Sequence, residues 1–259
     1  MIGQERLQNI FSNFTMSNLP HAVMLVGERG CGKHTLVGML SDRLGVSVEN
    51  ISSKLTYDQI AEMSVEALPH FYIVDGQVSD SSQNSLLKFI EEPPSYSYVF
   101  ILADNRESYL PTITGRCRVY TFDNYTDEEL LNFTEDLSVI KMLRTPGKII
   151  ELSSSDSKSI LDLNRTILTK ISVASIPNTL SLLDKFNYGK EDGKLSIDLE
   201  LPLIRSCCMD LYSETDSVVY LSAYKLLEEH SRKFLVPNVD KRKLFALLLL
   251  DLKSCLKTQ

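Results

Sequence analysis

The chain has 259 residues, of which 43% are hydrophobic and 24% are charged, and its formal net charge is −7. This composition is ordinary for a globular protein and excludes a disordered chain, a collagen-like repeat and a small disulfide scaffold. The length predicts one or two domains, or three small ones. The negative net charge argues against autonomous DNA binding, because proteins that grip DNA by themselves usually carry a basic face.

Targeting, membrane and metal signals do not stand out in the sequence. The N-terminal residues include a charge pair and no apolar core of the length that a signal peptide needs. The apolar run over 245–252 is too short to cross a bilayer and is interrupted by Asp251. None of the five cysteines pairs at CxxC spacing, so neither a zinc site nor a disulfide framework is predicted. We therefore expect a cytoplasmic protein without zinc and without a membrane partner.

The first 122 residues alternate helices with apolar strands. Helices are predicted over 4–17, 34–45 and 83–92, and buried strands over 21–27, 71–76, 98–104 and 118–122. The third of these helices is stopped by Pro93 and Pro94, which cannot continue a helix. Strands that alternate with helices indicate an α/β layer structure around a parallel sheet.

From residue 126 onward the strand signal fades. A helix is predicted over 126–137, opening with a capping box of Thr126 and Glu129. Apolar residues then recur at helical spacing toward the C-terminus, with a polar, glycine-bearing loop over 187–194. We predict three domains: an α/β domain over 1–122, a small helical domain over 123–174 and a larger helical domain over 175–259.

A glycine-rich loop, GERGCGK, follows the first predicted strand and directly precedes a helix. Gly27, Gly30, Gly32 and Lys33 have the G-x-x-x-x-G-K spacing, in the strand-to-helix context that this motif requires. The glycines let backbone N–H groups wrap around a phosphate, the helix N-terminus adds its dipole, and the lysine reaches the outer phosphates. The sequence therefore predicts a phosphate-binding loop.

The groups that normally hold magnesium and activate water are altered. A Ser or Thr hydroxyl should follow the loop lysine to bind Mg²⁺, but His34 stands there and Thr35 is one residue late. Asp75 ends a strand as a metal-holding aspartate would, but Gly76 follows it instead of an acid. We count His34, Thr35 and Asp75 among the nucleotide-binding candidates and predict no bound metal. Little or no intrinsic ATPase activity is expected.

Three further motifs resemble, in their order, the small subunits of sliding-clamp loaders. They are SLLKFIEEPP over 85–94, VFILADN over 99–105 and LPTITGRC over 110–117. The chain is most similar to the delta-prime branch of the bacterial clamp loader (DNA polymerase III), in the AAA+ superfamily. The resemblance implies an AAA+ P-loop domain over 1–122, a helical lid domain over 123–174 and an all-α collar domain for oligomerisation over 175–259.

The resemblance also implies roles for single residues. Arg116, in the family's Ser-Arg-Cys position, would be an arginine finger that reaches the γ-phosphate of ATP bound by a neighbouring subunit. The preceding serine of the family is replaced by Gly115 in this sequence. Asn105 takes the sensor-1 place near the phosphates, although a turn asparagine is an equal alternative. ATP or ADP is expected to bind weakly or not at all.

The function implied is that of a non-motor, stator-like subunit that helps load the sliding clamp onto primed DNA. Its partners would be the delta and gamma/tau-like subunits of the loader and, through the complex, the sliding clamp and primer-template DNA. Two alternatives stay open: an ATP-hydrolysing, gamma-like motor subunit of the loader, and another AAA+ ATPase or P-loop enzyme that works alone. His34 and Gly76 argue against the motor, and the EEPP and GRC motifs against a lone enzyme.

Overall fold

A computed structural model describes residues 1–51, 68–76, 78–94, 96–154, 157–185, 197–234 and 239–257. The chain divides into two compact units. The first unit comprises Met1–Glu135 and the short segment Arg144–Gly147, and the second comprises Asp136–Leu143 and Lys148–Gln259. The division into three domains at residues 122 and 174 stays a prediction, and the polar loop predicted over 187–194 lies outside the described residues.

The first unit is built on a parallel sheet of five strands in the order β2-β3-β4-β1-β5. The strands are β1 (Ala22–Val26), β2 (Ser47–Ile51), β3 (His70–Asp75), β4 (Ser97–Ala103) and β5 (Arg118–Thr121). The three central strands are almost entirely buried, as expected for a parallel sheet covered on both faces. The predicted α/β fold with a parallel sheet is confirmed.

Capping residues and prolines set several of the helix ends in this unit. They are α1 (Glu5–Ser12), α2 (Lys33–Leu44), α3 (Asp80–Glu91), α4 (Pro111–Thr114) and α5 (Asp127–Leu130), with a 3₁₀ turn at Arg106–Ser108. Ser79 caps α3 by accepting a hydrogen bond from the Ser82 amide, and the helix stops before Pro93. The capping box of Thr126 and Glu129 forms as predicted. The helix that it opens is much shorter than the predicted span 126–137, and α1 is shorter than 4–17.

The second unit is helical among its described residues. It contains α6 (Leu137–Leu143), most of α7 (Pro146–Ser154), α8 (Ser157–Lys170), α9 (Ile176–Leu180), a 3₁₀ turn at Ser181–Lys185, α10 (Ile197–Thr215), α11 (Val218–Phe234) and α12 (Lys241–Cys255). One apolar core joins the long helices α10, α11 and α12, with Ile204, Leu227 and Phe245 essentially inaccessible to solvent. Buried Lys253 donates hydrogen bonds to the carbonyls of residues 171, 172 and 174, just beyond the end of α8.

Among the described helices, none combines the length and the apolar character that crossing a membrane requires.

Candidate functional site

The predicted phosphate loop connects β1 to α2. Gly30 and Gly32 adopt φ angles of +84° and +100°, a left-handed conformation that favours glycine over residues with a Cβ atom. A Cβ atom at Gly27 would lie 2.8 Å from both Cys31 Sγ and Phe122 Cβ, so this glycine permits close packing. These glycines let the backbone turn from β1 into α2, whose N-terminus is the place where an anion would be held.

Lys33, the first residue of α2, is buried, and its ammonium group binds oxygen atoms of the protein. Its Nζ lies 3.0 Å from Asp104 Oδ1 and also donates to the carbonyl of Gly27. Asp104 directly follows β4, and the register of β1 with β4 pairs Val26 with Ala103, which brings these strand ends together. The sequence interpretation missed Asp104. The signal that could have identified it is an acidic residue at the carboxyl end of a buried strand.

His34 and Asp75 are in direct contact. The imidazole Nε2 of His34 lies 3.1 Å from Asp75 Oδ2 at the end of β3. These are the two sequence positions at which the metal-binding hydroxyl and carboxylate were expected. Magnesium prefers six oxygen ligands in near-octahedral geometry, and an imidazole engaged with the carboxylate does not provide them. The residues present therefore do not fit magnesium.

Two other predicted residues lie beside these groups in the chain. Thr35 is exposed in the first turn of α2. Asn105 follows Asp104, and its Oδ1 atom is buried with no hydrogen-bond partner among the described residues. Buried acceptors are nearly always paired in folded proteins, so the Asn105 side chain has unused hydrogen-bonding capacity. Its role as a sensor stays a prediction.

The phosphate loop is held by a second segment of the first unit. The Thr145 hydroxyl donates to the carbonyl of Arg29 at 3.1 Å, and the amide of Gly147 donates to the carbonyl of Gly30 at 2.8 Å. A Cβ atom on Gly147 would stand 2.6 Å from Gly30 Cα, which is closer than real Cβ contacts occur. The sequence does not predict this contact, because it joins segments that are more than 100 residues apart.

Cys31, inside the loop, is not an activated thiol. Burial raises the pKa of Cys31 to about 11, more than the nearby Lys33 ammonium lowers it. Tyr125 donates from its hydroxyl to the Cys31 carbonyl at 2.8 Å, and burial raises the pKa of Tyr125 to about 12. Both groups are therefore protonated at neutral pH and serve packing and hydrogen bonding.

Arg116 lies two residues beyond α4, and its guanidinium contacts two protein oxygens. Its Nη2 lies 2.8 Å from Glu91 Oε1, and its Nη1 donates to the carbonyl of Thr112 at 3.0 Å. The side chain is 46% exposed. Gly115, in place of the family's serine, has an ordinary helical φ of −72° and donates from its amide to the Pro111 carbonyl. The φ angle thus suits any residue, but a Cβ atom on Gly115 would lie only 3.1 Å from the Pro111 carbonyl oxygen.

The structure places the predicted site residues in two groups. Gly27, Gly30, Gly32, Lys33, His34, Thr35, Asp75 and Asn105 lie on the loop, on the first turn of α2 and at the ends of neighbouring strands. The contacts of Arg116 are instead with Glu91 and Thr112. Within the described part of the chain, no group of three or more His, Cys, Asp or Glu side chains is placed to hold a metal ion.

Comparisons with known proteins show which proteins the chain resembles. A family model described as DNA polymerase III, delta subunit, matches residues 41–126. DNA polymerase III subunit gamma/tau of Mycoplasma pneumoniae is 27% identical over 220 residues, which cover 71% of this chain and 32% of that protein. DNA polymerase III subunit delta' of Bacillus subtilis is 23% identical over 122 residues, which cover 43% of this chain and 37% of that protein.

Among solved structures, the RuvB Holliday junction branch migration motor of Thermotoga maritima matches with a TM-score of 0.50 and 17% identity, over 95% of this chain and 82% of that one. This likeness shows the fold alone. The matched region spans about a third of the length of the two curated relatives named above. The family model and the two curated relatives confirm the predicted resemblance of the chain to subunits of bacterial DNA polymerase III.

Proposed function

We propose that the chain is a non-motor, stator-like delta-prime subunit of a clamp loader. In this role it would help load the sliding clamp onto primed DNA and would lend Arg116 to a neighbouring ATPase subunit. The observation that carries the proposal is the contact between His34 and Asp75, at 3.1 Å, where a hydrolytic subunit needs a hydroxyl and a free carboxylate around magnesium.

The residues around the phosphate loop support a structural role. Phosphoryl transfer in P-loop proteins depends on a metal that bridges the outer phosphates and on a group that orients the attacking water. Here the residue after the loop lysine is an imidazole, and the residue after Asp75 is a glycine. With both groups replaced, we expect negligible ATP hydrolysis by the isolated chain.

Weak binding of ATP or ADP without magnesium is compatible with the same pocket. The loop backbone and the N-terminus of α2 can receive phosphate oxygens. Lys33 would have to exchange its contacts with Asp104 and the Gly27 carbonyl for contacts with the nucleotide. Because existing contacts are lost in that exchange, the lysine contributes less to the free energy of nucleotide binding, and we therefore propose weak binding.

Arg116 has the properties of a residue that acts on a neighbour. A guanidinium is permanently charged and planar, and it can spread the negative charge that develops on a transferring phosphoryl group. Almost half of the side chain is open to solvent, so a second subunit can reach it. The partners proposed are the delta and gamma/tau-like subunits and, through the complex, the sliding clamp and DNA. The role implies a cytoplasmic location.

A gamma-like motor subunit is the second candidate. It is favoured by the relatives, because the gamma/tau subunit of Mycoplasma pneumoniae is similar over more of this chain than the delta' subunit of Bacillus subtilis. The candidates differ in one measurable property, which is ATP turnover by the isolated chain.

The test compares the isolated chain with a loader reconstituted from its own delta and gamma/tau-like subunits. The isolated chain is expected to show no turnover above a Lys33→Met control. In the complex, Arg116→Ala is expected to lower DNA-stimulated ATPase activity about tenfold or more, because fingers supplied in trans contribute about 10³-fold or more at a single site. Arg118→Ala, also exposed and two residues further on, is the matched control. Turnover by the isolated chain would favour the motor, and full activity of the Arg116 variant would remove the finger.

A further inference from the structure

The Glu91–Arg116 pair has a precise geometry in the first unit. Glu91 is the last residue of α3, and its Oε1 lies 2.8 Å from Arg116 Nη2. A different guanidinium nitrogen, Nη1, donates to the carbonyl of Thr112 at 3.0 Å. Two nitrogens of one planar group thus contact two oxygens of the first unit, which restricts both the position and the plane of the guanidinium.

The place of Glu91 on its helix is electrostatically unfavourable without a cation nearby. A carboxylate in the last turn of a helix faces the negative end of the helix dipole. Pro93 and Pro94 prevent the helix from continuing, so Glu91 stays at this end. The guanidinium of Arg116 supplies a compensating charge, in addition to that of Lys88 in the last turn of the same helix. Glu92, the next residue, is exposed and marks where helix geometry ends.

The two elements that carry the pair are fixed by buried contacts. Gln83 on α3 is only 2% exposed. Its side chain accepts a hydrogen bond from the Leu110 amide at 2.8 Å and donates one to the Ser108 carbonyl at 3.3 Å. Apolar side chains of α3, including Phe89, share one core with Ile113 of α4. The buried contacts between α3 and the segment around α4 therefore set the spacing of the backbone positions that carry Glu91 and Arg116.

We propose that Glu91 is a positioning residue for Arg116, and that it holds the guanidinium in place before a neighbouring subunit docks. This inference rests on the proposed function of Arg116. The pair is accessible, with 42% of the Glu91 side chain and 46% of the Arg116 side chain exposed, so a polyphosphate of higher charge can take the guanidinium from the carboxylate. Glu91 itself does not touch the reacting atoms.

The experiment uses the complete reconstituted loader with Glu91→Gln, which removes the charge and keeps the size of the side chain. Glu92→Gln is the matched control, and Glu91→Asp keeps the charge on a shorter arm. DNA-stimulated ATPase activity is expected to fall about three- to tenfold in kcat for Glu91→Gln, with little change in KM for ATP. Glu91→Asp is expected to retain a larger share of the activity, and Glu92→Gln all of it.

A double-mutant cycle separates positioning from a general structural effect. In the Arg116→Ala background, Glu91→Gln is expected to cause no further loss, because the residue that it orients is gone. Melting temperatures of the isolated variants are measured beside the kinetics. If Glu91→Gln proves unstable, Glu91→Asp in the same cycle provides the measurement.

Two results overturn the inference in distinguishable ways. If Arg116→Ala impairs the loader but Glu91→Gln behaves like Glu92→Gln, Glu91 does not position the finger and the proposed function stands. Additive losses in the cycle have the same meaning. If Arg116→Ala leaves the loader fully active, the proposed finger is wrong and the inference about Glu91 is overturned with it.

Discussion

The amide nitrogen of Gly147 lies 2.8 Å from the carbonyl oxygen of Gly30, in the middle of the phosphate loop. Just before it, Thr145 bonds to the carbonyl of Arg29. These bonds satisfy carbonyl groups on consecutive loop residues, and they leave no room for a side chain on Gly147. The loop is therefore shaped partly by a segment far away in the sequence.

Gly147→Ala is expected to destabilise the protein by about 2–3 kcal/mol, because a methyl group 2.6 Å from Gly30 Cα must push backbone away. The melting temperature measures this effect. Gly38→Ala in α2 is the control, since a Cβ atom there meets nothing within 4 Å. That change is expected to stabilise the protein by about 0.5–1 kcal/mol, because alanine favours a helix interior over glycine. Equal effects of the two substitutions would contradict the close contact.

The response of nucleotide binding to magnesium tests the His34–Asp75 contact. Titration of a fluorescent ATP analogue is expected to give an affinity that changes by less than about twofold when EDTA replaces Mg²⁺. His34→Ser removes the imidazole from Asp75 and adds a hydroxyl, so the affinity of this variant for the ATP analogue should rise by about threefold or more with Mg²⁺. His34→Ala removes the imidazole without supplying a metal ligand and is the control. A strong magnesium requirement in the unaltered protein would contradict the assignment.

Asp104 competes with phosphate for Lys33. Asp104→Asn removes the negative charge 3.0 Å from the lysine Nζ, and nucleotide affinity is expected to rise about three- to tenfold. Asp123→Asn is a matched control, because Asp123 forms an exposed ion pair with Arg6 at 3.4 Å instead. Unchanged or weaker binding by Asp104→Asn, in the same fluorescence titration, would show that the carboxylate does not restrain the lysine.

A buried carboxyl group in the second unit predicts pH-dependent stability. Glu200 on α10 is fully buried, and neither carboxylate oxygen meets an ordinary hydrogen-bond partner among the described residues. Burial raises the pKa of Glu200 from 4.5 to about 7, while the nearby Asn164 side chain acts in the opposite direction. Between these two values the folded chain keeps a proton that the unfolded chain has released. Stability therefore falls as the pH rises from about 4.5 to 7 and stays low above that window.

Glu200→Gln abolishes this titration. The substitution is expected to raise the free energy of unfolding by about 2–3 kcal/mol at pH 8 and by far less at pH 5. Urea unfolding at the two pH values measures the difference. Glu214→Gln is the control on the same helix, because Glu214 is exposed and its hydrogen bond with Arg165 lowers the pKa of its carboxyl. A gain for Glu200→Gln that is the same at both pH values would contradict the buried titration.

The sequence predicts those parts of the fold that depend on local pattern. The strands β1, β3 and β4 are continuous apolar runs, and the structure buries nearly all of them. β2 was missed because four of its five residues are exposed at the edge of the sheet and three are polar. The helix predicted over 126–137 stops early where the Asn132 side chain donates to the carbonyl of Glu129 at 2.9 Å, a local bond that replaces the helical one.

For the candidate site, too, only the features that depend on local sequence can be predicted. The glycine spacing and Lys33 are visible in the sequence because one short segment holds them together. The contacts of Lys33 with Asp104 and of Gly30 with Gly147 join segments that are remote in sequence. A local pattern marks Asp104 as an acid at a strand end, but it does not identify Lys33 as its partner. Glu91 was noticed only as part of the EEPP motif, since its ion pair with Arg116 depends on how α3 and α4 pack.

The chain passes from one unit to the other more than once: it leaves the first unit after Glu135 and re-enters it for Arg144–Gly147. A recombinant fragment that stops at Glu135 would keep the whole sheet, yet it would expose the carbonyls of Arg29 and Gly30 to water. Nucleotide affinities measured on such a truncated protein would refer to a phosphate loop that lacks these two hydrogen bonds. A fragment that is meant to retain the native phosphate loop must therefore extend through Gly147.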